Sequence, residues 1–64
     1  MHANILVIDD EESIRFTFQR FLVAAGHNVI TAGTYFDALA RMDEMKFDLI
    51  LADIVLDDGF EGFY

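Results

Sequence analysis

Ile5-Leu6-Val7-Ile8-Asp9-Asp10 and Leu49-Ile50-Leu51-Ala52-Asp53 are the two stretches that decide the fold, since each is a short apolar run that ends in acid. Such runs are typical of strands buried on both faces of a parallel sheet. Parallel neighbours bring their carboxyl ends to one edge, so we expect Asp9, Asp10 and Asp53 to cluster there. Crowded carboxylates require a cation or raised pKa values. The two runs therefore predict a site for a hard divalent metal.

The sequence between the two runs predicts a helix and another strand. Gly26 ends the helix, and residues 28–32 have the β-branched content of a strand. The helix runs from about Glu12 to Ala25, and its spacing of apolar residues predicts an inward face made of Ile14, Phe18, Phe21, Leu22 and Ala25.

A second helix is predicted after Thr34, because Thr at the cap position with Asp37 three residues later approximates a capping box. A third strand is expected over 47–53, and Asp57-Asp58-Gly59 is a turn signal that closes the regular pattern. The inward residues of the second helix are predicted to be Tyr35, Leu39 and Met42.

The order strand, helix, strand, helix, strand predicts an α/β fold. Right-handed crossovers with one helix on each face give the strand order 2-1-3, the opening half of a doubly wound parallel sheet. In that order the first strand is central and lies beside the third. Asp9, Asp10 and Asp53 can then meet at the edge where open α/β sheets bind ligands.

Composition limits the classes of partner. The chain has 64 residues, 55% of them apolar, and its 12 acidic against four basic residues give a formal charge of −8. This charge argues against direct binding of nucleic acid or anionic membranes by this segment. There is no cysteine for a disulfide or thiolate zinc site. With neither a signal peptide nor a membrane-length apolar stretch, a cytoplasmic location is expected.

Magnesium is the metal that these residues favour, because oxygen ligands suit a hard octahedral ion whereas zinc prefers His or Cys. His2 and His27 are not placed to take part. Acids before a helix also cap its free N–H groups, which is the structural alternative for Asp9 and Asp10. A carboxylate beside bound magnesium can accept a phosphoryl group, and Asp53, alone at its strand end, is the candidate.

These motifs resemble the receiver domains of two-component response regulators, whose fold is flavodoxin-like. The runs that end in Asp9-Asp10-Glu11 and in Asp53 look like the family's first strand and phosphoacceptor strand. The segment Thr34-Tyr35-Phe36-Asp37-Ala38-Leu39 looks like its second-helix start, and Asp58-Gly59 like the turn after the phosphoacceptor. The resemblance covers the chain to about Gly59.

The resemblance implies a phosphoacceptor rather than an enzyme. By it, Asp53 takes a phosphoryl group from a histidine kinase or phosphotransfer protein. Mg2+ would be bound directly by Asp10, through water by Asp9, and by Asp53 and the Val55 carbonyl. A phosphohydrolase with its nucleophile at the first strand fits less well, because Asp53 is then unexplained.

The resemblance also implies that residues 1–64 are a partial receiver, the first half of a domain that has two more strands and three more helices. The family's phosphate-binding hydroxyl residue and its lysine have no counterpart here, and Lys46 lies at the wrong end of its strand. An open third-strand edge carrying Leu49-Ile50-Leu51 predicts a homo-oligomer, most simply a dimer. The alternative function is a self-associating assembly module without phosphotransfer.

Overall fold

A computed structural model describes residues 2–55 and 61–62 of the chain, with side chains described for residues 2–52. The described residues form two helices and four strands, of which the first five elements follow the predicted order and the last strand was not predicted. They are β1 (Asn4–Asp9), α1 (Glu12–Ala24), β2 (Asn28–Ala32), α2 (Tyr35–Glu44), β3 (Leu49–Val55) and β4 (Glu61–Gly62).

The sheet has the strand order β2-β1-β3-β4, with β1 parallel to both of its neighbours. The predicted order 2-1-3 is therefore confirmed, as is the flavodoxin-like class of fold. Ile5 of β1 is in register with Val29 of β2 and with Leu49 of β3. The register continues without a bulge to Ala32 on one side and Asp53 on the other.

The hydrophobic core lies between the sheet and α2. Residues 5–8 of β1 are all buried, as expected for a central strand covered on both faces. Successive side chains point to opposite faces, so Leu6 and Ile8 share the α2 face. The core cluster on that face consists of Leu6, Ile8, Ala32, Ala38 and Ala52, with Ile30, Met42, Phe47 and Ile50 packed against it.

The inward face predicted for α1 is wrong by about one residue of rotation. Among the residues predicted to point inward only Leu22 is half-buried, and Phe21 is 74% exposed. The half-buried stripe is instead Arg15, Gln19 and Leu22. Helix α1 contacts β1 and β2 but not β3, so its Phe21 side faces away from the strands that it covers. Apolar periodicity located the helix but could not fix its rotation, because no described element covers that flank.

The prediction for α2 is correct only in part. Met42 packs against the core, whereas Tyr35 and Leu39 are exposed. The residue of α2 that is completely buried is Ala38, which belongs to the core cluster. A small side chain at this position lets the helix backbone approach the sheet.

Strand β3 begins and ends two residues later than predicted. It runs from Leu49 to Val55. The preceding residue, Asp48, forms two hydrogen bonds with Asn4 at the start of β1. The Asp48 carboxylate accepts from the Asn4 amide at 2.8 Å, and the Asp48 amide donates to the Asn4 carbonyl at 2.8 Å. At the other end, β4 pairs antiparallel with β3 and extends it beyond Asp53.

The N-terminal cap predicted for α2 is confirmed. The Thr34 hydroxyl accepts a hydrogen bond from the Asp37 amide at 3.0 Å. We expect Thr34→Ala to lower the free energy of unfolding by about 1 kcal/mol, because this amide loses its partner. Urea denaturation followed by circular dichroism measures the change.

Thr17→Ala is the matched control for this prediction. The Thr17 hydroxyl donates to the Ser13 carbonyl within α1, a bond that adds little to a helix already formed. Its effect should stay within about 0.5 kcal/mol. Equal losses in the two variants would contradict the role assigned to the Thr34 cap.

Candidate functional site

The candidate site lies at the carboxyl edge of the sheet, where β1 and β3 end side by side. Asp9, the last residue of β1, is in register with Asp53 of β3. Neighbouring strands lie about 4.8 Å apart, so the two backbones are close at this point. The parallel register thus joins two acidic positions that are 44 residues apart in the chain. Asp10 follows directly after Asp9 on the loop that leads into α1.

Asp9 and Asp10 have different environments. Asp9 is buried, with 5% of its surface exposed, and its Oδ1 accepts from the Glu11 amide at 2.9 Å. This bond across two residues forms an Asx turn just before α1. It differs from the helix cap considered for Asp9 and Asp10, because the N-cap residue of α1 is Glu11 and no described side chain caps the helix. Asp10 is exposed and makes no side-chain hydrogen bond to another described residue. Asp10 is therefore the freer of the two carboxylates to meet an ion directly.

Arg15 reaches the same edge from the first turns of α1. Its Nη1 donates to the Asp9 carbonyl at 2.7 Å, and the guanidinium also lies against Gly33, the residue after β2. The backbone of Arg15 is fastened here too, since its amide donates to the Glu11 carbonyl at 3.1 Å. Arg15 was not identified from the sequence, because the spacing of apolar residues in α1 gives no information about a charged residue.

For the other two predicted ligands, only the backbone is described. Asp53 and Val55 lie within the strand, but their side chains lie outside the described part of the structure. The predicted turn Asp57-Asp58-Gly59 also lies outside the described residues. Among the described side chains, no three His, Cys, Asp or Glu groups converge on one point. A third side-chain ligand for a metal at Asp9 and Asp10 would therefore come from residues beyond Ala52.

The donor set at this edge fits magnesium. Aspartate oxygens are hard ligands, and an exposed Asp10 beside a buried Asp9 leaves space for the water molecules that Mg2+ retains. The two described histidines lie elsewhere. His2 is exposed, and His27 precedes β2 at the opposite edge, where its Nδ1 accepts from the Ala3 amide at 3.0 Å. His27 thus has a structural role, in agreement with the sequence.

The hydrogen bond of Asp9 can be tested by comparing Asn and Ala at the same position. Asn retains a side-chain oxygen for the Glu11 amide but removes the charge, and Ala removes both. We expect Asp9→Ala to be less stable than Asp9→Asn by about 1 kcal/mol in buffer with chelator. Urea unfolding midpoints measure this difference.

Asp10 provides the control pair. Because Asp10 is exposed and has no described partner, Asp10→Ala and Asp10→Asn should agree within about 0.5 kcal/mol. An equally large gap between Ala and Asn at both positions would show that the Asx turn is not the cause.

Comparison with known proteins places these features in a family. The sequence model of one protein family, the response regulator receiver domain, matches residues 5–63 of the chain. The chain is 44% identical over 63 residues to the alkaline phosphatase synthesis transcriptional regulatory protein PhoP of Bacillus subtilis, covering 95% of the chain and 26% of that protein. It is 38% identical over 60 residues to the transcriptional regulatory protein AfsQ1 of Streptomyces coelicolor, covering 91% of the chain and 27% of that relative.

A third relative has a shorter chain. Protein PilG of Pseudomonas aeruginosa is 39% identical over 59 residues, which cover 89% of this chain and 44% of PilG. The chain thus spans between about a quarter and a half of the length of these three relatives. Among its described residues, neither helix is long and apolar enough to cross a membrane.

Proposed function

Because this chain belongs to the response regulator receiver domain family, we propose that it is a phosphoacceptor module in two-component signalling. Its phosphoryl donor is a histidine kinase or a phosphotransfer protein, which meets it in the cytoplasm. Asp53 accepts the phosphoryl group, and Asp9, Asp10, Asp53 and the Val55 carbonyl hold Mg2+. The chain is consumed stoichiometrically as the acceptor, so it is not a turnover enzyme.

The register of Asp9 with Asp53 is the observation that carries this proposal. A buried acid at the end of the central strand is costly unless its charge is balanced. The Asx turn accounts for Asp9 but does not explain an acid at the adjacent position on β3. A cation shared by the strand ends accounts for both positions.

The ligand roles follow from the environments of the two described acids. Asp10 is exposed, so its carboxylate can contact the ion directly. One oxygen of Asp9 is already engaged by the Glu11 amide, which leaves the other to bind a water of the ion's shell. Val55 lies two residues beyond Asp53 on the same strand, where its backbone carbonyl can add a further oxygen.

Phosphoryl transfer to Asp53 is a simple displacement. A carboxylate oxygen of Asp53 forms a bond to the phosphorus of phosphohistidine as the bond between phosphorus and the imidazole nitrogen breaks. The electron pair of the broken bond stays on the imidazole, which then takes up a proton. When bound, Mg2+ neutralises the charge that develops on the phosphoryl oxygens. The residues of the chain orient the carboxylate and hold the ion in place.

The proposed domain is the N-terminal part of a receiver, residues 1–64. In this view phosphorylation of Asp53 shifts a conformational equilibrium that is read elsewhere. An assembly module without phosphotransfer is not favoured, because the two acidic strand ends then have no role.

Phosphorylation can be tested with a small-molecule donor. We expect incubation of the chain with phosphoramidate and Mg2+ to add the mass of one phosphoryl group, detected by intact-protein mass spectrometry. Asp53→Asn should abolish the gain because the amide is a poor nucleophile. Chelation of Mg2+ should also abolish it.

Asp48→Asn is the matched control, since it removes one charge from the other end of the same strand region. The Asn side chain can still accept from the Asn4 amide, so the hydrogen bond between the starts of β1 and β3 is retained. The mass gain should persist in this variant. A gain that survives Asp53→Asn would refute the assignment of the phosphoacceptor.

We also propose that the 64-residue chain self-associates through the β3 edge. Strand β4 pairs only with Ile54 and Val55, so in the described structure the edge of β3 from Leu49 to Asp53 has no strand partner. Leu49 is 47% exposed on this edge. Exposed apolar edge strands favour pairing with another chain. A second copy is the simplest partner.

Self-association can be measured by size-exclusion chromatography with light scattering at micromolar concentration, where a dimer is expected. Leu49→Lys should shift the chain towards monomer, because a charged edge strand disfavours pairing. Phe36→Lys is the control, since Phe36 is 83% exposed on α2 and distant from this edge. A folded wild-type monomer would rule out the interface.

A further inference from the structure

Arg15 is a functional candidate that lies outside the proposed ligand set. It is a half-buried cation at an edge where four consecutive acids, residues 9–12, begin with the last residue of β1. Its described hydrogen bond is to the Asp9 main-chain carbonyl rather than to a carboxylate. Because the guanidinium binds a main-chain carbonyl, it can restrain the backbone between Asp9 and Asp10.

The Asp9 carbonyl belongs to the peptide that joins Asp9 to Asp10. Because a peptide group is planar, fixing its oxygen also fixes the plane from which the Asp10 Cα departs. The bond from Arg15 Nη1, at 2.7 Å, is short and charge-assisted. Arg15 thus restricts the direction in which Asp10 leaves the end of β1, although Arg15 does not touch the Asp10 side chain.

Two further bonds secure the same turn. Asp9 Oδ1 accepts from the Glu11 amide, and the Glu11 carbonyl accepts from the Arg15 amide at 3.1 Å. Together with the guanidinium bond they brace the segment Asp9–Glu11 at Asp9 and at Glu11, on either side of Asp10. Both described acids of the candidate metal site belong to this braced segment.

Gly33 provides the space that the guanidinium occupies. A Cβ atom at this position would lie 2.8 Å from Arg15 Nη1 and 3.2 Å from its Cζ. Within the described chain the glycine with a positive φ is Gly26, so Gly33 is not required for an unusual backbone conformation. Its missing side chain instead leaves room for Arg15. An alanine there would move the flexible end of Arg15 without removing its charge.

We propose that Arg15, seated against Gly33, is a positioning residue that sets the Asp9–Glu11 turn in the geometry needed to bind the divalent cation. This proposal rests on the metal site of the proposed function. The proposal and simple electrostatics predict opposite changes in cation affinity when Arg15 is removed. If Arg15 were only a nearby positive charge, its removal would strengthen cation binding. If Arg15 positions Asp10, its removal weakens binding.

The test is a titration of the 64-residue chain with Mn2+, with free Mn2+ followed by electron paramagnetic resonance. We expect Arg15→Gln to weaken Mn2+ binding about tenfold, as is typical when a residue that orients metal ligands is lost. Arg20→Gln is the matched control: it removes the same charge from the same helix, where its guanidinium lies 5.7 Å from the Phe16 ring centroid. Its affinity should be unchanged or slightly higher.

Gly33→Ala tests the mechanism with Arg15 retained. Displacement of the guanidinium should weaken Mn2+ binding in the same direction, and the double variant should be no weaker than Arg15→Gln alone. Such non-additivity is the sign of one shared interaction. Arg15→Lys should recover part of the affinity, because an ammonium can still donate to the Asp9 carbonyl.

The outcomes separate this proposal from the function on which it rests. A wild-type chain that takes up no Mn2+ overturns the metal site and Arg15's role together. A wild-type chain that binds Mn2+ while Arg15→Gln binds equally well or more tightly overturns only the role of Arg15. If Arg15→Gln fails to fold by circular dichroism, Gly33→Ala decides, and unaltered affinity in that variant overturns the proposal.

Discussion

The parallel pairing of β1 with β3 is the constraint on which the rest of the structure depends. It buries the apolar residues of β1 and brings Asp9 into register with Asp53. A slip of one residue would exchange the two faces of β3, so that Ile50 and Ala52 would leave the core. The same hydrophobic pattern that stabilises the sheet therefore also sets which acids meet at its carboxyl edge.

The buried acid at the end of β1 contributes to stability and to the proposed chemistry. One oxygen of Asp9 closes the Asx turn into α1, which offsets part of the cost of burying the carboxylate. The Arg15 guanidinium holds the adjacent carbonyl, so the turn is fixed by the helix that follows it. Asp10 is left exposed beside this hydrogen-bonded turn, where its carboxylate is accessible to the proposed ion.

Particular elements show how far sequence reasoning reaches. Strand β2 was predicted over the range that it occupies, and the Thr34 cap was identified, because β-branched content and capping chemistry act within a few residues. The inward face of α1 was predicted wrongly, as were Tyr35 and Leu39 of α2. Those errors concern the direction of a side chain relative to a distant surface. For the candidate site, Asp9 and Asp53 could be foreseen as neighbours, whereas Arg15 could not.

The sequence by itself determined the order of the first five elements, the parallel pairing of their three strands and the adjacency of the acidic strand ends, but not the antiparallel β4. Apolar runs, turn residues and the handedness of crossovers are properties of local chain chemistry. Only the tertiary structure decided how α1 is rotated on the sheet, and with it that Arg15 meets the Asp9 carbonyl in the space left by Gly33. Such a contact depends on three segments packing together, and no local pattern in any one of them encodes it.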